Sequence, residues 1–424
     1  MRRKAVVLVL IAVIGIAGFL LWPDNSSRQV LPDGTVLVFS GVKVGRTNVY
    51  SHGTRLSKLL GRLAPSNGID VAGLKLQRPQ IVEISGPEGS EILTAELYLG
   101  PGSPREKTFL SPPFYRKHRL LISGDDEDGF TFVKEFYDFM RQADGLFSLV
   151  RAWSYPRDSR RLRFRLEERE TNDTRDWREV ATFVVRNPKR ARVESWQAER
   201  MARMKLADGL EAEAGELVIR HEPIHPTDIW EYTAFLPVRV FRSGQLATNW
   251  GIVGGRVRDA SGNYEGFTFG FIKEITNDWR VYRMFRPLDP AKVWKFQVDF
   301  APDSDFPATN LFSFTVPWPL PGAIQTNLGA YPIRIDFVNT DMLSVELTNK
   351  SAQTRLTFTK AVDDRGTNLD HGTGSWGQHR FWRMLNLERP ATAKPVRVHA
   401  TVAIHENYEA EFVLQPRYER KPKP

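Results

Sequence analysis

RLRFRLEERE at residues 161–170, VWKFQVDFAP at 293–302 and VRVHATVAIH at 396–405 decide the fold. Each alternates apolar and polar side chains with period two, which sends one set to each face of an extended strand and buries only one of them. Each is followed by a shorter apolar stretch that closes on proline: ATFVVRNP ending at Pro188, LFSFTVP at Pro317 and EAEFVLQP at Pro416. Proline lacks the N–H that a continuing ladder needs, so it marks an exit from a sheet. The expectation is a hairpin-like pair of strands finishing each of three blocks, with boundaries near 188, 318 and 416.

Further strands read outward from these. LPDGTVLVFSGVKVG at 31–45 opens with a Pro-Asp-Gly turn and continues as a first strand, and others follow at 80–85, 92–99, 162–168 and 181–185. Two helices are expected within this block. In TRLSKLLGRLAP at 54–65, Leu56, Leu59, Leu60 and Leu63 recur at helical spacing before Pro65; over 131–142, Phe132, Val133, Phe136, Phe139 and Met140 would point inward, with Gly145 as the stop. Short strands with Gly, Asn and Asp turns, RDASGN at 258–263 among them, fill the rest. The expected fold is mainly β: an N-terminal transmembrane helix followed by tandem immunoglobulin-like β-sandwich domains, the first with two inserted helices. The expected organisation is a signal anchor and spacer at 1–27, a mainly-β domain at 28–188, a charged linker at 189–208, β-sandwiches at 209–318 and 319–416, and a basic, disordered tail at 417–424.

The chain has 424 residues, enough for about three domains of ordinary size. Its 26 Phe and 11 Trp within a 41% hydrophobic composition supply cores, which excludes extended disorder. The net charge of +9 is dispersed and carries no nucleic-acid motif. Its densest stretch, 157–205, interleaves Arg and Lys with Glu167, Glu168, Glu170, Asp173, Asp176 and Glu179, as on a solvated surface; contact with anionic lipid or polysaccharide is the alternative. Cysteine is absent, which excludes disulfides, thiolate metal sites, cysteine nucleophiles and a lipidated cysteine.

Arg2, Arg3 and Lys4 precede an uninterrupted apolar run at 5–22. A cationic start before such a run belongs to a cleavable signal or a retained anchor. As a helix the run would span about 27 Å, close to the ~30 Å hydrocarbon core, and Phe19, Leu20, Leu21, Trp22 and Pro23 offer no small pair for cleavage, which favours retention. The positive-inside rule then keeps the N-terminus cytoplasmic and sends the bulk of the chain across the inner membrane, with the lipid bilayer as a partner through residues 5–22.

A signal anchor followed by an LPDGT strand and tandem sandwich texture resembles uncharacterised bacterial membrane-anchored proteins with tandem β-sandwich domains. That resemblance covers the general layout and short strand motifs; it implies no activity, and no site residues come with it.

Candidate chemistry is sparse. HEPIH at 221–225 matches HExxH, in which two histidines one helical turn apart hold zinc and the glutamate is general base. Pro223 and Pro226 oppose the helix that His221 and His225 would need, so the match reads as chance. HGTGSWGQH at 371–379 places Ser375 between two histidines but lacks the GxSxG elbow, and reads as a hairpin tip. The acidic run Asp125, Asp126, Glu127, Asp128 offers oxygen ligands for calcium without a full twelve-residue loop; Asp128 is expected to cap the helix after it. Trp230, Tyr232, Trp250, Trp279, Trp294, Trp376, Phe381 and Trp382 are expected mostly in cores, and any left exposed would suit stacking on sugars. No catalytic residue, metal or cofactor is assigned. The expectation is a non-enzymatic, membrane-anchored structural or interaction protein meeting envelope proteins or glycans; a glycan-binding module and a zinc hydrolase built on His221, Glu222 and His225 are the alternatives.

Overall fold

The computed structural model describes residues 27–45, 47–50, 69–71, 74–76, 80–83, 92–99, 118–126, 129–135, 139–142, 145–169, 176–222, 232–266, 273–276, 278–284, 287–318, 320, 322–339, 341–351, 353–375, 378–385 and 396–419. These are mainly β; the one helical element among them is a single 3-10 turn, Ala308–Asn310. The chain divides into two compact units, the first comprising Met1–Ser195, His221–Tyr232 and Asp259–Glu265, the second Trp196–Arg220, Thr233–Arg258 and Gly266–Pro424.

In the first unit two antiparallel sheets enclose one core. One runs Ser27–Val30, Val36–Gly45, Ile92–Leu99, Gly145–Ala152, Phe139–Gln142; the other runs Arg178–Arg186, Arg161–Glu168, His118–Ser123, Phe132–Glu135. Period-two alternation does the sorting: Leu162, Phe164 and Leu166 turn inward with Ala181 and Phe183, against Leu37, Phe39, Leu93, Ala95 and Leu97 of the facing sheet. The Phe39 ring lies 4.9 Å from Phe164 and 5.0 Å from Phe183, joining the two layers. Deleting one such buried ring costs about 3–5 kcal/mol.

The helix expected over 131–142 is corrected to strand. Phe132–Glu135 pairs with His118–Ser123, and Phe139–Gln142 pairs with Gly145–Ala152. Burial alternates there, with Phe132 and Lys134 buried and Val133 half-buried, so the period is two. Phenylalanine and valine are favoured in strands, and pairing with neighbours overrode a helical spacing of the same apolar residues. The helix expected at 54–65 lies outside the described residues, as does the apolar run at 5–22. Among the described residues no helix is long and apolar enough to cross a membrane.

The second unit corrects the expected strand pairs. Arg161–Glu168 does pair with Arg178–Arg186, but Trp294–Pro302 pairs with Tyr408–Leu414, and Leu311–Trp318 pairs with Val396–Glu406. The last two blocks therefore exchange their closing strands. One residue, Asn407, separates Val396–Glu406 from Tyr408–Leu414. A hairpin needs at least about two loop residues, so the chain passes on into the other sheet. Residues 303–407 thus form an insertion whose own core, Val316, Ile333, Ile335, Leu343, Val345, Leu356, Phe358, Val398, Ala400 and Val402 among others, lies between a three-stranded and a five-stranded sheet. The parent sheets bury Trp250, Trp294, Phe296, Phe300 and Phe412. Ala202–Ala207, in the stretch read as linker, is a strand paired with Leu210–Ala214. The tail is likewise ordered as far as Glu419: Arg417–Glu419 pairs in parallel with Val218–Arg220, and Glu216 binds both Arg200 at 2.9 Å and Arg417 at 3.0 Å.

Candidate functional site

Among the described residues the motifs singled out in the sequence do not come together. Arg220 ends a strand and His221 sits in the bend after it, its ring edge-on to Tyr232 at 5.5 Å; His225 lies outside the described residues. Asp125 uses its carboxylate on the backbone, accepting the N–H groups of Arg160 at 2.6 Å and Arg161 at 3.1 Å, while the Asp126 carbonyl accepts the Gly129 N–H. That binding fixes the turn into Arg161–Glu168. Asp128 lies outside the described residues, and the helix it was expected to cap is the strand Phe132–Glu135. Among the described residues no three His, Asp or Glu side chains are placed to hold a metal ion. Asp370–Ser375 and Arg380–Leu385 form a hairpin, with Gly374 so close under Trp382 that a Cβ would meet the indole at 2.3 Å.

Two buried polar clusters were missed in the sequence. In the first unit, Asp259, Ser261 and Asn263 of the RDASGN turn aim their side chains inward. Asp259 accepts from the Ser261 N–H and hydroxyl and from the N–H and Nδ2 of Asn263, at 2.7–3.0 Å. Held this way, Asn263 presents Oδ1 to the Tyr155 N–H at 2.9 Å and to Arg157 Nε at 3.0 Å. Arg157 lies 4.6 Å over the Tyr155 ring, and its carbonyl accepts Asn187 Nδ2. These bonds tie the turn to residues more than a hundred positions away, so the cluster acts as a clasp.

The second cluster joins the insertion to its parent sheets. Arg355 leaves Thr354–Val362 on the outward face and donates to the Val253 carbonyl at 2.9 Å beside Asp299. Burial lowers its pKa to about 10, offset in part by the Asp299 charge, so it stays cationic at neutral pH. Burial raises the Asp299 carboxyl above its usual value, and Arg355 opposes that. His405 lies under Phe306, whose ring stacks at 5.0 Å. Its Nδ1 donates to the Glu406 carbonyl, which leaves Nε2 to accept the Thr357 hydroxyl at 2.9 Å. Desolvation pushes its pKa down to about 4, so the ring is neutral.

One exposed constellation has the residue types of a catalytic triad. His399 Nδ1 meets the Thr315 hydroxyl at 2.9 Å and Nε2 meets Asp364 at 3.0 Å. The hydrogen bond from His399 holds the Asp364 carboxyl below its usual value. The His399 and Asp364 side chains are 42% and 54% exposed. Thr315 stands on the open face of its strand, in line with exposed Leu311, Ser313 and Pro317. Nucleophilic catalysis gains most from donors fixed in a water-excluded site, and this face is wet.

No known family model matches the chain, and no curated protein matches it in sequence.

Aromatic placement bears on the sugar-stacking expectation. Trp250 and Trp294 are buried, the first stacked with Tyr408 at 6.0 Å and the second donating to the Asp289 carbonyl. Phe381 is buried under Arg355, and Trp279 lies beneath Arg239 at 4.3 Å. Trp177 is flanked by the guanidinium groups of Arg119 and Arg169, at 4.3 and 4.7 Å, and Arg119 pairs with buried Glu167 at 2.7 Å. These rings are engaged by the protein's own cations. Trp230 and Trp376 lie outside the described residues.

Proposed function

We propose that this chain is a membrane-anchored extracytoplasmic protein that acts by structural support and interaction, holding immunoglobulin-like β-sandwich units on the outer side of the inner membrane. The observation that carries the reading is the junction of the apolar run at 5–22, behind Arg2, Arg3 and Lys4, with a first sheet strand that begins at Ser27. A lipid-length segment four residues ahead of a folded β unit is an anchor's arrangement. Support for an interaction role comes from the clasps: polar groups that could have formed a reactive pocket are spent on joining β segments. Envelope proteins and glycans are the partners proposed. A glycan-binding module is the second reading, favoured by the partly exposed Trp382 above Gly374.

The test is fractionation with partner capture. The full chain should resist alkaline extraction from membranes, be degraded by protease added to intact spheroplasts, and crosslink to envelope proteins or glycans. Release by alkaline extraction, or protection from external protease, contradicts the reading.

A further inference from the structure

The core of residues 303–407 is closed on one side and open on the other. Leu356, Phe358, Leu369, Phe381 and Leu385 are buried where Thr354–Val362 lies over Arg380–Leu385 and Asp370–Ser375. Phe312, Phe314, Trp318, Leu320, Ile324 and Phe337 pack on the same core but stay only partly buried. They belong to Leu311–Trp318, Ile324–Leu328 and Tyr331–Asn339, or to the loop between the first two. Thr326 marks the opening. It stands opposite Ile333 in the pairing of Ile324–Leu328 with Tyr331–Asn339, so it shares the core side with that buried residue, yet it is exposed.

Sheet widths account for the opening. The five-stranded sheet exceeds the three-stranded one by two strands, about 10 Å at the usual strand spacing. Because Thr354–Val362 covers both Arg380–Leu385 and Asp370–Ser375 at the closed side, part of that excess projects at the other, where Ile324–Leu328 is the end strand and Leu311–Trp318 stands recessed above it. Among the described residues each of these two strands has a neighbour on one side only, so each offers a free row of N–H and C=O groups. Such edges are ordinarily guarded by charge, as Lys360 guards Thr354–Val362 and Asp370 guards Asp370–Ser375. From Phe306 to Ile333 the chain has no Asp, Glu, Lys, Arg or His, in a protein whose residues are 26% charged. Pro317 closes the usable run of the recessed strand at Val316.

We infer that this side pairs with the same side of a second copy, the projecting Ile324–Leu328 of each chain adding as a strand beside the recessed Leu311–Val316 of the other. Shape and charge both select a second copy. A step made of one projecting and one recessed strand fits an identical step turned about a twofold axis along the strands, and the two contacts close the dimer with no free edge left on that side. The Phe312 ring lies 5.8 Å from Tyr331 and against Gly329, at the far end of Ile324–Leu328, so the two strands of one chain run in opposite directions. That axis preserves direction, so the pairing between copies is antiparallel. Ile324 and Thr326 of one copy then come beside Phe312, Phe314 and Trp318 of the other. A charge on either surface would be costly to bury there, and the sequence supplies none.

Light scattering of the full chain in the uncharged detergent dodecyl maltoside should give a polypeptide mass twice 48.5 kDa, and hydrogen exchange should slow in both 311–316 and 324–328 as concentration rises. Thr326→Lys puts a cation on a side chain that is exposed in the single chain and covered in the pair. It should halve the mass and remove that slowing, while the core strand Val396–Glu406 keeps its protection. Thr326→Glu should do the same with the opposite charge, and Lys360→Glu, at the closed side, should leave the dimer intact. A single-chain mass for the wild type overturns the inference, including where the strand of another envelope protein protects the same amides. A dimer that survives both changes at Thr326, or that slows exchange in 311–316 alone, overturns it as well. Should either variant lose the Val396–Glu406 protection, the wild-type mass and exchange decide by themselves. None of these results bears on the anchor reading, which alkaline extraction tests separately.

Discussion

Asp259→Ala should open the clasp of the first unit. The wild-type carboxylate takes four hydrogen bonds and is fully buried. Alanine leaves the Ser261 N–H and the Asn263 N–H without the carboxylate that accepts them, and leaves Asn263 Nδ2 only the long bond to the Ser261 hydroxyl at 3.3 Å; the Ser261 hydroxyl itself can rotate away. Each stranded buried group costs about 1–3 kcal/mol, and because they share one turn the sum is not additive, so a loss of about 3–6 kcal/mol is expected. Asp259→Asn keeps Oδ1 for three of the donors but sets an NH2 against Asn263 Nδ2, for a loss of about 1–3 kcal/mol. Native-state hydrogen exchange is the suitable assay, because a chain with two units need not unfold in one step. Peptides covering 153–161 and 259–265 should lose protection in the order alanine, then asparagine, then wild type, while the insertion's core strand Val396–Glu406 keeps its protection. An alanine variant within about 1 kcal/mol of wild type, or an asparagine variant worse than alanine, would refute the clasp.

The second unit should weaken in acid through His405. Its folded pKa of about 4 lies below the ordinary 6.5, so the unfolded chain binds the extra proton first; stability is full above pH 6.5 and falls by up to about 3 kcal/mol as the pH drops to 4. His405→Gln should flatten urea midpoints across that window, and a slope unchanged from wild type would contradict the assignment. Gly255→Ala should destabilise by more than about 2 kcal/mol, read as a lower urea midpoint, because φ is +144° and a Cβ would meet the Gln297 carbonyl at 2.5 Å. Metal analysis of the purified chain should find no stoichiometric zinc; zinc bound and then lost in His221→Ala would restore the hydrolase alternative.

Strand identity was legible in the sequence wherever alternation was strict, as at 161–168, 294–302 and 396–406, because burial of one face writes itself into every second residue. Strand partners were not. Alternation fixes the face of Trp294–Pro302 but says nothing of whether Leu311–Trp318 or Tyr408–Leu414 lies beside it; the single residue Asn407 was the available signal. The same limit hid the junction cluster. Asp299, Arg355 and His405 sit on the outward faces of their strands, where the pattern expects water, and are covered by the neighbouring pair of sheets. RDASGN was legible as a turn. That its Asp and Asn face inward follows from its contacts with Tyr155 and Arg157, more than a hundred residues away. Phe132 to Met140 misled because aromatic clusters satisfy helical and strand periods alike over so short a run.

Asp208→Cys tests the central claim most directly. The Asp208 side chain is fully exposed in its turn, and the chain has no other cysteine. A membrane-impermeant maleimide added to intact spheroplasts should label Asp208→Cys at once and leave Arg3→Cys unlabelled until the membrane is opened. Labelling of Asp208→Cys only after lysis would place the β units inside the cell and contradict the account.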